Sequence, residues 1–184
     1  MFFGSVQFMI VMLVAEGSLP SYSVSSQVIS DLGVLATAPL FNASVILLGL
    51  LTLAAAYFFH RTHKTLWITV PFMLAGIGFV GVGLFPETVL GAHALFALLA
   101  FVFGNVVAIL ISFRLRGPLR WLSIVLGVLG LVALGLFLSG NDAGIGAGGM
   151  ERLIVYPVLF WFTALGGHLM TAVAEPKISQ TPSV

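Results

Sequence analysis

Few side chains in this sequence can do acid–base, metal-binding or ion-pair chemistry. The 184 residues include six Asp and Glu, seven Lys and Arg, four His and no Cys. Without cysteine there is no disulfide, no thiolate metal ligand and no Cys nucleophile. Any chemistry must therefore come from carboxylates, imidazoles, guanidinium groups and hydroxyls.

His93 is the first candidate, at the end of the stretch GLFPETVLGAH (83–93). Pro86 is predicted to begin a helix, because proline fits a first turn in which no amide donor is needed. Glu87 would then cap that turn, where a carboxylate suits the helix dipole. We expect His93, nearly two turns deeper, to face the bundle interior and contact a ligand, a cofactor or a catalytic water, with a structural hydrogen bond as the alternative. It heads a stripe of small residues at helical spacing: Ala97, Ala100, Gly104 and Ala108.

A second candidate pair is Glu151 and Arg152, which opens the last apolar segment. Glu151 suits a helix N-terminus. A partly buried Arg152 requires a carboxylate partner, and we expect that partner to be Glu16 or Asp31. The alternatives for this group are a structural ion-pair network and a ligand or catalytic site.

Haem b is the most concrete cofactor for these side chains. Haem iron accepts histidine from facing helices of a bundle, but His93 and His168 are predicted near opposite membrane faces, so each would serve a separate site. Zinc would need three or four ligands, drawn from His93 and the nearby acids. The candidate cofactor-binding residues are His93, His168, Arg152 and Glu16, with His93 or His168 as a metal ligand only if haem or metal is bound.

Hydrolysis of a lipid is an alternative chemistry. Serines crowd the first polar connection near a histidine and two carboxylates, but no GxSxG elbow marks a nucleophile. The catalytic residues stay unassigned, with His93, Asp31 and Glu151 as candidates, and the sequence leaves open whether the chain is an enzyme. A third alternative is a scaffold whose polar residues only lock the fold.

The elements that must position these residues are membrane helices. Hydrophobic residues make up 60% of the chain and charged residues 7%, whereas a soluble domain carries roughly 25% charged residues. A net charge of +1 provides no basic patch for nucleic acid. Because a span takes about 20 apolar residues and lipid cannot satisfy an open backbone, the sequence predicts an all-α bundle of six transmembrane helices. They lie at about 1–15, 40–59, 66–85, 89–113, 121–139 and 153–173, in one domain (1–176) with a short cytoplasmic tail (177–184).

Charged residues predict the orientation of the bundle. Six of the seven basic residues fall on one side of the predicted spans, and Arg152 is the exception. The positive-inside rule then places both termini in the cytoplasm. The helices are also rich in small residues, which allow close helix packing, either within one bundle or at the seam of a possible homodimer.

Several short motifs resemble a known family. ISDLG (29–33), LFNAS (40–44), GLFPE (83–87) with His93, and MERL (150–153) resemble the domain of unknown function family 998. The resemblance covers nearly the whole chain and implies a six-helix membrane protein. It marks Asp31, Glu87, His93, Glu151 and Arg152 as family-pattern positions. More remotely, the ISD and PE elements are similar to the Frag1/DRAM/Sfk1 membrane proteins. Neither family implies a reaction.

Taken together, these features predict a multi-pass protein of the cell membrane that binds a ligand at the outer mouth of its helix bundle. The expected ligand is a lipid or another hydrophobic small molecule, with haem as the most concrete cofactor. The expected partners are membrane lipids and no nucleic acid.

Overall fold

The computed structural model describes residues 1–174, in which the chain forms six α-helices and one short 3₁₀ helix. That range contains no strand, so the fold is all-α, as the sequence predicts. The predicted tail, 177–184, lies outside the described residues. The α-helices are α1 (Phe2–Gly17), α2 (Ala38–His63), α3 (Leu66–Leu84), α4 (Leu90–Ser112), α5 (Pro118–Leu138) and α6 (Gly146–Ala174), and the 3₁₀ helix is Ile29–Gly33.

Length and apolar composition make these helices membrane spans. Helices α2 to α6 are each long and apolar enough to cross a bilayer, whereas α1 is apolar but shorter. The 16 residues of α1 extend about 24 Å at 1.5 Å per residue. In a helix each backbone amide is satisfied within its own segment, as lipid requires. The chain is therefore a multi-pass membrane protein.

The helices form a ring with two ends of opposite charge. Each helix contacts the next one in the chain, and α6 returns to contact α1. We call the end that carries the connections at 64–65 and 113–117 the basic end, and the opposite end, with the 3₁₀ helix, the acidic end. The acids of the described residues lie at the acidic end, and they are Glu16, Asp31, Glu87, Asp142 and Glu151.

Glycines let neighbouring helices of the ring approach closely. A Cβ atom on Gly78 of α3 would lie 2.4 Å from the Ala100 amide nitrogen of α4, and one on Gly49 of α2 would lie 2.6 Å from the Val80 amide nitrogen of α3. Contacts this short exclude any side chain, as in other close membrane-helix pairs. These glycine faces are therefore occupied by packing within one chain.

Two helix starts differ from the prediction. Helix α4 begins at Leu90 rather than at Pro86, because Phe85 and Val89 both have non-helical backbone angles. Pro86 instead opens a turn that the Val89 amide closes by donating to the Pro86 carbonyl oxygen at 2.8 Å. Helix α6 begins at Gly146, so Glu151 lies in its second turn and does not cap it. Both carboxylates that were expected to cap helices are thus free to face other elements.

Candidate functional site

A buried ion pair joins the first and last helices at the acidic end. Arg152 Nη2 lies 2.5 Å from Glu16 Oε1, and only 6% of the Arg152 side chain and 10% of the Glu16 side chain are exposed. This contact confirms that Arg152 takes a carboxylate partner from another segment, and it selects Glu16 over Asp31. It is the one salt bridge within residues 1–174.

The same guanidinium group also holds the loop between α1 and the 3₁₀ helix. Arg152 Nη1 donates to the carbonyl oxygens of Val24 at 2.8 Å and Gln27 at 3.1 Å, and Nη2 donates to the Tyr22 hydroxyl at 2.8 Å. The Tyr22 hydroxyl in turn donates to the Val28 carbonyl oxygen at 2.8 Å. Burial raises the pKa of Tyr22, so its proton stays available for that bond. Arg152 thus fastens a loop that has little secondary structure of its own.

Two glycines at the start of α6 let this loop lie directly on the helix. A Cβ atom on Gly148 would lie 2.0 Å from the Gln27 carbonyl oxygen, and one on Gly146 would lie 2.2 Å from the Ser25 carbonyl oxygen. Gly146 also has a positive φ of 77°, which favours glycine. The Gly148 amide donates to Ser25 at 2.9 Å. The GIGAGG sequence (144–149) therefore forms the surface on which this loop packs.

Glu151 anchors the 3₁₀ helix from below. Its side chain is 4% exposed, and it accepts hydrogen bonds from the Ile29 amide and, at 2.9 Å, from the Ser30 hydroxyl. The carboxylate therefore satisfies donors at the start of the 3₁₀ helix that have no partner within that helix. Glu151 and Arg152, adjacent in sequence, clamp two successive parts of the same connection.

A small cavity lies beneath the 3₁₀ helix. Its volume is about 40 Å³, which is room for about three water molecules when each needs roughly 10–15 Å³. Its polar lining comes from Ser30, His93 and Glu151, and its remaining lining is mostly apolar, including the rings of Phe8, Phe41, Phe79 and Phe101. The cavity therefore has a polar part under a roof that belongs to the clamped connection.

His93 joins the end of α3 to the start of α4. It is 9% exposed, and its Nδ1 lies 2.8 Å from the Phe85 carbonyl oxygen. Because a carbonyl oxygen can only accept, Nδ1 carries a proton, and in the neutral ring Nε2 is then an acceptor. His93 is the fourth residue of α4, so the prediction that it lies nearly two turns deep is wrong. Its predicted inward orientation agrees with its burial and with its place in the cavity wall.

Glu87 and Asp31 are neighbouring carboxyl groups at this end of the bundle. Asp31, Ser30 and His93 are close to the Glu87 side chain. Burial, followed by the adjacent Asp31 carboxyl, raises the pKa of Glu87 above its ordinary value of 4.5. The acidic end thus concentrates negative charge that Arg152, already paired with Glu16, does not balance.

The cavity at His93 is too small for haem while its roof stays in place, so haem binding there stays a prediction. Sites for small molecules measure roughly 300–1,000 Å³, well above the 40 Å³ of this cavity. No three His, Asp or Glu residues within the described chain are arranged to hold a metal ion. The arrangement that the zinc alternative needs is therefore not formed at this site.

Two other polar residues lie away from the cavity. His168 is exposed at the basic end, where it and His63 line a separate groove. Asp142 accepts a hydrogen bond from the nearby Gly144 amide at 3.0 Å, within its own turn. The role of Tyr22 was not predicted from the sequence, in which its only signal is an aromatic hydroxyl group in a polar connection.

Comparison with known proteins agrees with the sequence motifs. A family model described as "Protein of unknown function (DUF998)" matches residues 2–168. The comparison with curated proteins found no match, and neither did the comparison with solved structures.

Proposed function

Because the chain belongs to the DUF998 family, whose description gives no activity, its function must be argued from its site, and we propose that it binds an amphiphile at the acidic end. The polar end of this ligand donates hydrogen bonds, most favourably as an ammonium group. The single observation that carries the proposal is the cavity in which His93 and Glu151 meet aromatic walls.

The polar groups around the cavity select for a donor. Glu151 lines the cavity, and Asp31 and Glu87 lie close to its lining residue Ser30. These carboxyl groups accept hydrogen bonds when ionised, and His93 offers Nε2 as an acceptor once Nδ1 is bound to Phe85. An ammonium group supplies several donors and a positive charge. Its binding would offset the repulsion between Glu87 and Asp31, which is one cause of the raised Glu87 pKa.

The apolar walls select for a narrow chain. Aromatic rings form much of the apolar lining of the cavity, and the face of such a ring also attracts a cation. A cavity of about 40 Å³ admits a larger ligand only after its roof moves. That roof is the 3₁₀ helix and the loop before it, held by Glu151 and Arg152. The clamped connection would therefore act as a lid in this proposal.

Matched single-chain amphiphiles test the proposal. Dodecylamine, dodecanol and dodecanoate share an apolar tail and differ in their polar end, so each is added to the full-length protein in detergent and thermal unfolding is followed. We expect dodecylamine to stabilise the protein most and dodecanoate least. Equal shifts with the three compounds would indicate detergent-like partitioning and would contradict the proposal.

Variants locate the effect within the acidic end. Glu87→Gln should abolish the preference for the amine, whereas Asp142→Asn, which changes an exposed carboxylate at the same end, should keep it. His93→Gln retains a donor for the Phe85 carbonyl oxygen, so it separates ligand contact from the structural bond. If all three variants respond as the unmodified protein does, the acidic end is only a lock and the scaffold alternative is favoured.

A membrane-embedded hydrolase is the second candidate, favoured by the hydrogen bond from Ser30 Oγ to Glu151 Oε1 at 2.9 Å. A carboxylate adjacent to a hydroxyl can accept its proton during nucleophilic attack. A fluorophosphonate probe should then label the protein, and Ser30→Ala should abolish the labelling while Ser26→Ala, an exposed serine in the same connection, should not. Absence of labelling in the unmodified protein would count against a serine nucleophile.

A further inference from the structure

A second and much larger groove lies at the basic end. Its volume is about 830 Å³, within the roughly 300–1,000 Å³ of small-molecule sites. Phenylalanines of α1, α2 and α3 form much of its wall, including Phe2, Phe58 and Phe72, and its polar side chains include His63, Arg114 and His168. We propose that this groove binds an anionic phospholipid, with an acyl chain along the phenylalanines and the phosphate at Arg114.

Arg114 has hydrogen-bond donors available for a phosphate. Its guanidinium group donates once, from Nη2 to the Thr65 hydroxyl at 3.1 Å, and it forms no salt bridge with an acid of residues 1–174. This bond directs the side chain along the groove wall without neutralising its charge. Arginine binds phosphate oxygens with two parallel donors when its fork is available, so the Arg114 guanidinium group can bind two oxygens of one phosphate.

The positive charge of the basic end also favours an anionic phospholipid. Every acid of the described residues lies at the acidic end, whereas Arg61, Lys64, Arg116 and Arg120 surround the end that carries Arg114. Basic residues at a membrane surface attract anionic headgroups. The apolar wall alone would accept any lipid, and this excess of positive charge selects the anionic ones.

Two other occupants compete with a lipid. Residues 175–184 continue from α6, whose residues His168, Leu169 and Met170 line the groove. That segment carries one Glu and one Lys, so its side chains offer no net negative charge to Arg114. A second copy of the chain would present a face that is itself basic at this end. Charge complementarity therefore favours the phospholipid over both.

Photo-crosslinking of the full-length chain tests the proposal. Phe58 is 66% exposed and lines the groove, whereas Phe113 is 64% exposed at the same end and lies outside it. Each is replaced in turn by p-benzoylphenylalanine, the protein is placed in vesicles of phosphatidylcholine mixed with phosphatidylglycerol, and the adducts are weighed by intact-mass spectrometry. At position 58 we expect phosphatidylglycerol adducts enriched about fivefold over the bulk ratio, the equivalent of ~1 kcal/mol per basic residue. At position 113 the adducts should follow the bulk ratio.

Each other outcome is decisive. Adducts at position 58 that follow the bulk ratio would mean that only unselective membrane lipid fills the groove, and the proposal fails. An internal crosslink to 175–184, found by peptide mapping because it leaves the intact mass unchanged, would assign the groove to the tail, and a dimer mass would assign it to a second copy. Arg114→Gln should remove the enrichment and Arg116→Gln should keep most of it. The result is independent of the acidic end, because the two sites share no lining residue.

Discussion

Replacing Arg152 by alanine should destabilise the protein more than removing any other basic side chain of residues 1–174. The substitution removes the 2.5 Å ion pair with Glu16 and the hydrogen bonds to Tyr22, Val24 and Gln27. Glu16 then keeps a carboxylate that is 10% exposed and has no cation. Breaking a buried ion pair from one side costs about 3–5 kcal/mol. At roughly 2–4 °C per kcal/mol for a chain of this size, melting should fall by about 6–20 °C.

Thermal unfolding in detergent, followed by circular dichroism, measures this loss. Arg120→Ala is the matched control, because its exposed guanidinium group contacts only the Trp121 ring, at 5.6 Å from the centroid, a contact of about 0.5–1 kcal/mol. The double variant Glu16→Leu/Arg152→Met should melt above Arg152→Ala, since apolar replacement of both partners removes the unpaired charge. If Arg152→Ala melts no lower than Arg120→Ala, the Arg152 guanidinium group is solvated and does not hold the loop between α1 and the 3₁₀ helix.

Gly148→Ala should lower the melting temperature and Gly135→Ala should not, because a Cβ atom would lie 2.0 Å from the Gln27 carbonyl oxygen at 148 and meets nothing within 4 Å at 135; equal melting would contradict the seating of the loop on α6. A cysteine at Ala143 should react with an impermeant thiol reagent in whole cells, and one at Ser179 should not, because six of seven basic residues favour the cytoplasmic side; the reverse labelling would invert the topology. Glu87→Gln should raise stability at neutral pH. Burial and Asp31 raise the pKa of Glu87 above 4.5 in the folded protein. The stability that protonated Glu87 contributes to the fold is therefore fully present below pH 4.5 and is lost as pH rises through the folded pKa. The melting temperatures of the unmodified protein and of Glu87→Gln, measured across pH 4–8, should converge at low pH. A constant difference between the two melting temperatures would contradict the raised pKa of Glu87.

The fold class could be predicted from the sequence because hydropathy and charge are properties of local segments. Each apolar stretch of sufficient length must satisfy its own backbone in lipid, so the helices of an all-α membrane bundle follow without knowledge of their neighbours. The need of Arg152 for a carboxylate was equally predictable, since an arginine among apolar segments cannot stay unpaired. These inferences depend on composition and on the solvent, and neither requires a tertiary contact.

Local rules failed where two elements compete for the same residue. Pro86 is acceptable in a first helical turn, yet the non-helical Phe85 and the turn that ends at Val89 delay the start of α4 to Leu90. That delay frees Glu87 from capping and brings His93 close enough to bind the Phe85 carbonyl oxygen. Spacing along the chain could not reveal this bond, because it depends on the path between α3 and α4.

Only the tertiary structure decided which partners the acidic end assembles. Glu16 and Arg152 are 136 residues apart in the sequence, and they meet because α6 returns to α1 in the ring. Glu151, one residue away, points to the 3₁₀ helix, because successive residues of a helix do not face the same side. The sequence alone determined that carboxylates, an arginine and a histidine would gather at one membrane face. Which of them became clamps and which line a cavity was decided by helix packing, since contacts between distant segments exist only once those helices are side by side.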